Sequence, residues 1–307
     1  MLEKLDFNLL TQIADMSFLP KDGAYNIRKN GVAAGRVVTE NVNITNKTDK
    51  PGIDITIKPF TVGETVSIPV IITETGHAEL VYNDFYIGEG ADVTIVAGCG
   101  IHNSGCSESR HDGIHRFFIG KNAKVKYVEK HYGDGDGDGS RIMNPETQIF
   151  MDSGSVCEME SVQIKGIDST KRKTTAQLAE NAKLVVTERL MTHGKQIAES
   201  DMTIDLNGKD SSAQIISRSV GKDESSQVFF PNAVGNAACR AHIQCDSILM
   251  DNAKIRSVPA ITANHPDAQI IHEAAIGRIN NDQLLKLMTF GLNEEEAEEI
   301  ILEGFLK

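Results

Sequence analysis

Apolar residues along this chain follow two different periods. Leu5, Leu9, Leu10, Ile13 and Met16 fall near helical spacing, and Pro20 with Gly23 ends the pattern, so residues 1–35 predict a short helical and then irregular N-terminal arm. From 36 to 278 the helical period disappears. Short Val/Ile/Thr-rich runs broken by Gly, Asn and Asp take its place, the pattern of strands and tight turns. From 279 to 307 the helical period returns.

The strand runs repeat. Ile87-Gly-Glu-Gly-Ala91-Asp-Val-Thr-Ile95 matches Ile119-Gly-Lys-Asn-Ala123-Lys-Val-Lys-Tyr127, Leu178-Ala-Glu-Asn-Ala182-Lys-Leu-Val-Val186 and Leu249-Met-Asp-Asn-Ala253-Lys-Ile-Arg-Ser257. Each is strand, polar turn, small residue, strand. The small pivots Ala91, Ala123, Ser155 and Ala182 are 32, 32 and 27 residues apart, a solenoid period. One such unit has too little apolar surface to stand alone, so coils stack and bury a continuous column of alternate side chains. A sandwich of hairpins also fits a period near 30, and the uneven later spacing leaves it open.

In the last segment Leu284, Leu285 and Met288 share one helix face, and Gly291 supplies a left-handed stop. A second helix follows: Asn293 is a good N-cap, Glu296 completes a capping box, Glu294 and Glu295 suit the positive end of the dipole, and Ile300, Ile301 and Phe305 form an apolar stripe. The pair can seal the end of a solenoid, dock on another protein, or do both.

Composition narrows the function. A net charge of −12, from 31 Lys plus Arg against 43 Asp plus Glu, repels a phosphate backbone and argues against nucleic acid. No run approaches the roughly 20 apolar residues needed to cross a bilayer, and the first residues lack the basic segment and apolar stretch of a signal peptide. The expectation is a cytoplasmic protein with no membrane association. Cys99, Cys106, Cys157, Cys239 and Cys245 are odd in number, widely spread and without a CxxC pair, which fits reduced thiols and leaves only metal sites assembled by folding or by a partner.

The densest set of potential ligands is Cys239, His242 and Cys245 together with His272 and Glu273. Cys245 and Glu273 lie 28 residues apart, close to one coil, so stacking can bring them onto neighbouring rungs. Thiolate suits iron–sulfur clusters, while imidazole and carboxylate add exchangeable positions where a cluster must be released. A lone cysteine in a strand-rich core is otherwise a small buried hydrophobe. His102, Cys106, His111 and His115 form a second His/Cys group, and Gly133-Asp-Gly-Asp-Gly-Asp-Gly139 reads as an acidic turn rather than a calcium repeat, since it occurs once and lacks a bidentate Glu. With no GxxxxGK[ST] loop, any nucleotide is bound by a partner.

The stretches Cys245-Asp-Ser-Ile-Leu249, His272-Glu-Ala-Ala-Ile-Gly-Arg-Ile279 and Asp282 to Leu306 resemble the C-terminal half of the SufB/SufD family of iron–sulfur cluster assembly scaffolds, and residues 85 to 240 resemble its core more loosely. The resemblance implies a mainly β protein, a right-handed parallel β-helix over 36–278. It also implies C-terminal helices that bind a SufC-like ABC-type ATPase, and two scaffold subunits paired through their β-helices. Under it Cys245 matches the SufB acceptor cysteine, Glu273 the SufB glutamate and His272 the histidine that SufD contributes, while Cys99 in Val96-Ala-Gly-Cys-Gly resembles a cysteine associated with sulfur delivery. Cys239 and His242 are further ligand candidates, and Asp282, Leu284, Leu285, Met288, Phe290, Gly291, Ile300, Ile301 and Phe305 would carry ATPase docking.

One chain holding both a SufB-like carboxylate and a SufD-like histidine points to a homodimer, and a SufB/SufD paralogue is the alternative mate. The chain departs from the family in having no Trp and no long N-terminal helical region, so the family's internal sulfur route does not transfer wholesale. The expected function is a scaffold, not an enzyme, that builds and passes on a transient iron–sulfur cluster. A β-helical carbohydrate-active enzyme and a cofactor-free adaptor of an ATPase are the alternatives. The first needs two carboxylates about 5–10 Å apart on an exposed face, and the second predicts replaceable cysteines.

Overall fold

The Val/Ile/Thr runs become strands because each ends in a turn that only small and left-handed residues can make. Ala91, Ala123, Ser155 and Ala182 are all fully buried, and the residue before each, Gly90, Asn122, Gly154 or Asn181, has a positive φ of 57–70°. The amide of each small residue then bonds the carbonyl three residues back. Asn tolerates this left-handed backbone and Gly has no Cβ to oppose it.

The computed structural model describes residues 2–307. Helix α1 (Lys4–Ala14) leads into β1 (Ala24–Lys29), β2 (Val32–Val37), β3 (Val42–Asn46), β4 (Gly52–Ile57), β5 (Val62–Ile72), β6 (Ala78–Ile87) and β7 (Asp92–His102). The middle coils are β8 (Ser109–Ile119), β9 (Lys124–Asp134), β10 (Arg141–Met143), β11 (Glu146–Met151), β12 (Val156–Lys165), β13 (Ser169–Leu178) and β14 (Lys183–Thr192). The last are β15 (Ile197–Leu206), β16 (Ser212–Gly221), β17 (Ser226–Gly235), β18 (Arg240–Leu249), β19 (Lys254–Ser257), β20 (Ala260–Ala263) and β21 (Gln269–Gly277), followed by α2 (Asn281–Thr289) and α3 (Glu294–Leu306).

Successive strands alternate between two facing sheets. One runs β2-β1-β5-β7-β9-β12-β14-β16-β18-β21; the other is built on β19-β17-β15-β13-β10-β8-β6-β4-β3, with β11 and β20 beside it. Every pairing is parallel except β1–β2 and β3–β4 at the N-terminal end. The chain is therefore a β-solenoid of about eight turns, and the sandwich of hairpins is excluded.

The irregular part of the expected N-terminal arm is a hairpin instead. β1 and β2 join the first sheet, turning at Asn30 (φ 45°) and Gly31 (φ 78°). Asn-Gly is the strongest short hairpin signal, and it stood in the sequence. Helix α1 lies across the outer face of β5, β7 and β9, burying Leu9, Leu10 and Ile13 against Tyr25, Ile27 and Ile71. It can do so because a Cβ on Gly98 would come within 2.6 Å of the Ile13 carbonyl oxygen, and one on Gly100 within 3.3 Å of Leu9. The acidic turn has a similar cause: Gly135, Gly137 and Gly139 press against the backbone of Asn103, Gly105 and Ser107, with no room for side chains.

Inside, one half of the cross-section is apolar and the other is not. Val93, Ile95, Phe85, Phe117, Val186 and Ile215 fill the first half. The second half contains a buried ionic network. Arg172 pairs with Glu129, lies 3.2 Å from His131 Nδ1 and 3.7 Å from Glu188. Burial opposes ionisation of Glu129, but Arg172 and His131 outweigh it and hold the carboxyl well below its usual range. Glu188, less well served, is pushed up by burial despite Arg172.

His115 is neutral for a geometric reason. Tyr127 donates to Glu129 over 3.1 Å, so it must accept the Nδ1–H of His115 at 2.8 Å, and Nε2 is left to accept from Asn83 at 3.3 Å. Burial accordingly brings His115 down to about 4. The unfolded chain takes up a proton near pH 6.5 that the folded chain refuses until about pH 4, so stability is full above the first value and falls as pH drops toward the second, by roughly 3 kcal/mol. Urea midpoints should fall between about pH 7.5 and about pH 4.5 in the native protein, and fall less in His115→Gln; an equal drop in both would rule His115 out as the titrating group.

Candidate functional site

The last rung of the first sheet carries the densest ligand set of the sequence. β21 pairs with β18 so that Ile243 lies beside His272, Gln244 beside Glu273 and Cys245 beside Ala274. Since successive side chains of a strand point to opposite faces, this register divides the set in two. Cys245 and His272 face the interior, with the sulfur 3.3 Å from His272 Nε2. Glu273 faces outward, 3.6 Å from His242 Nε2. Cys245 and Glu273 thus do lie on neighbouring rungs but not on one face of a single chain: thiol and imidazole meet, and the carboxylate stands on the reverse side of the same strand.

Cys239 is not part of either pair. It is buried just before β18 and lies six residues from Cys245, about 20 Å along the strand. In the second His/Cys group, Cys106 is exposed, His102 turns out to Asp134 at 2.7 Å, and only His111 and His115 reach the interior. Among the described residues no group of three or more His, Cys, Asp or Glu side chains is arranged to hold a metal ion.

Cys245 is only 4% exposed. Burial, with the nearby charges of Glu188 and Asp246, pushes its thiol up to about 11. It therefore carries its proton at neutral pH. His272 beside it is brought down by burial and is poised as a neutral base. Binding a metal or sulfane sulfur at Cys245 requires that proton to leave, and the imidazole is the adjacent acceptor.

The site continues inward along a column of stacked side chains. Directly beneath Cys245 come Ser217, Glu188, Ser161 and Glu129, one per rung. Cys99 occupies the neighbouring column, level with His131, and lines a small interior cavity with His111, Gly113, His115 and Glu129. Burial, together with Glu79 and Glu129, raises the Cys99 thiol well above its ordinary value. The inward polar residues between the two cysteines were not singled out in the sequence. Their signal was parity: Glu129 and His131 fall on the same alternation as the core residues Val125 and Tyr127, and Glu188 on that of Leu184 and Val186.

Below the solenoid's end, α2 has no buried residue, and Leu285, Met288 and Phe290 are exposed. In α3 the capping box of Asn293 and Glu296 is present. Leu302 and Leu306 are buried against Val220 and Phe305 packs there too, so Ile300 is the exposed part of that stripe. Gly291 takes its left-handed conformation at φ 97°. Among the described residues no helix is long and apolar enough to cross a membrane.

Comparison with known proteins shows the family. Residues 71–305 match the family described as SUF system FeS cluster assembly, SufBD core domain. An iron–sulfur cluster assembly SufBD family protein of Methanocaldococcus jannaschii is 29% identical over 237 residues, covering 76% of this chain and 74% of that protein. One from Archaeoglobus fulgidus is 26% identical over 250 residues, covering 80% and 66%, and one from Pyrococcus horikoshii 27% over 233, covering 75% and 69%. The chain thus spans about two thirds to three quarters of these relatives. It belongs to the SufB/SufD family of iron–sulfur cluster assembly proteins.

Proposed function

We propose that this protein is a scaffold subunit on which an iron–sulfur cluster, its cargo rather than a resident cofactor, is assembled and passed on at the last rung of the solenoid. The observation that carries this reading is the contact between Cys245 and His272 at the open end of the stack. A thiol and a neutral imidazole 3.3 Å apart offer a soft ligand, an exchangeable ligand and a proton acceptor together. Two donors leave cluster iron incompletely ligated, which suits transfer.

The remaining ligands come from pairing. β21 has a neighbour on one side only, so its other edge presents unpaired backbone groups, and Ile271 and Ile276 beside them are exposed. A second copy, or a SufB/SufD paralogue, joined at this edge would add the matching set, including Glu273 and His242 from the outer face. Cys99, held protonated deep in the stack, is the sulfur-handling position of this reading, and the polar column links it to Cys245. The SufC-like ABC-type ATPase docks on α2 and the exposed part of α3, around Asp282, Leu284, Leu285, Met288, Phe290 and Ile300. The scaffold itself binds no nucleotide and acts in the cytoplasm.

Anaerobic reconstitution with iron and sulfide should load the native protein and leave Cys245→Ala without cluster absorbance, while its far-UV circular dichroism stays native; normal loading of that variant would remove Cys245 from the site. Docking is tested separately. Leu285 and Phe290 are 59% and 74% exposed, so Leu285→Asp with Phe290→Asp should leave the melting temperature unchanged and weaken binding of the cell's SufC-like ATPase at least about tenfold. Undiminished binding would place the ATPase elsewhere.

A further inference from the structure

Helix α3 touches more of the solenoid than a terminal helix needs to. Leu302 and Leu306 form one apolar cluster with Val220 of β16, and Met191 of β14, Ile248 of β18, Met250, Phe305 and Ile279 just beyond β21 pack against that cluster. The helix thus rests on β16 and shares its apolar cluster with residues from four successive rungs of the first sheet. Its C-terminal carbonyls, which lack a basic residue in their own last turn, are served by the solenoid: Arg218 donates to the Phe305 carbonyl and Arg189 to the Lys307 carbonyl, both over 3.3 Å. Arg218 stands next to Ser217, the inward residue in register with Cys245.

β21 is the most weakly held strand of the site. It hydrogen-bonds to β18 alone, and most of its outward residues lie open to solvent. Yet β21 is what covers Cys245, through Ala274 in register and His272 in contact. Its exit is tied by Ile279, which packs against the cluster that α3 forms with Val220, and by Arg278, which donates to the Asp251 carbonyl.

We infer that β21 is a hinged cover over Cys245 and that the docking of α3 against β14, β16 and β18 is its latch. While Leu302, Phe305 and Leu306 are seated, Ile279 is clamped and the last rung stays on the stack. When α3 is drawn off, β21 keeps only its ladder to β18 and opens as a local unit, which uncovers the thiol. Arg189 and Arg218 are positioning residues in this scheme, acting on Cys245 through α3 without touching the cargo. The inference rests on the assignment of Cys245 as the working thiol, and places the control of that thiol in the same chain. A partner that takes hold of α3 through its apolar face competes directly with the latch.

The test needs neither ATPase nor cluster. Arg189→Ala with Arg218→Ala, and separately Leu302→Ala with Leu306→Ala, are compared with the native full-length protein by hydrogen exchange and by peptide-resolved alkylation with iodoacetamide. Both variants should show faster exchange in 294–306 and in 269–277, and alkylation of Cys245 should quicken about fivefold or more. Cys157, buried in the middle of the stack, and exposed Cys106 should react as in the native protein. If α3 exchanges faster while Cys245 and β21 keep their native rates, the latch does not hold the cover and the inference fails. It fails equally if neither variant loosens α3. A loaded cluster on native protein with no change at Cys245 in the variants would leave the scaffold reading standing and discard the latch alone.

Discussion

In a stack of parallel coils each inward side chain sits directly between the equivalent residues of the rungs above and below, because the backbone ladder on both sides fixes the register. Nothing can slide, since a slip of one residue would turn every core side chain to solvent. A polar residue on an inward position therefore has to be answered by its stacked or facing neighbours. This constraint accounts for Arg172: projecting from β13 into a space bounded by Glu129 on β9 and Glu188 on β14, it is the one buried cation that serves both carboxylates. The division of the interior into an apolar and a polar half follows from the same rule, with each half propagated rung by rung.

The site inherits its form from this register. Cys245 stands at the end of a column that begins with ionised Glu129 and passes Ser161, Glu188 and Ser217, so its environment is set by residues as much as 116 positions away in sequence. Burial keeps the thiol protonated, and the final rung supplies His272 as acceptor. The carboxylate of Glu273, one residue on, is turned to the other face by the pleat. A single chain thus holds the thiol–imidazole pair inside and the Glu273–His242 pair outside the same strand.

The two ends of the solenoid are treated differently. At the N-terminal end β2 and β3 reverse direction against β1 and β4, which breaks the parallel pattern and blunts continued stacking. At the C-terminal end β21 keeps the parallel direction and an open edge, and the chain secures it only from the side, through α3. The two helices that read as an end seal or as a docking element in the sequence are used unequally on the solenoid. α3 spends Leu302, Leu306 and Phe305 on the solenoid, and α2 spends nothing.

Local chemistry was legible directly. The alternation of Val, Ile and Thr with polar residues, the left-handed Asn and Gly before Ala91, Ala123, Ser155 and Ala182, the capping box at Asn293 and Glu296, and the stop at Gly291 each depend on residues close in sequence, and the structure has them all. The period of about 30 residues, read as coils, put Cys245 and Glu273 on neighbouring rungs, and β18 and β21 are neighbouring rungs. What the sequence did not decide was parity between rungs. Whether Glu273 shares a face with Cys245, whether His111 and His115 meet Cys106 or Cys99, and which charges Arg172 must satisfy are settled by the exact length of each turn, because one residue more or less reverses inside and outside. Those lengths take effect only when the rungs hydrogen-bond to one another, so the ligand types came from the sequence and their grouping from the stacked fold.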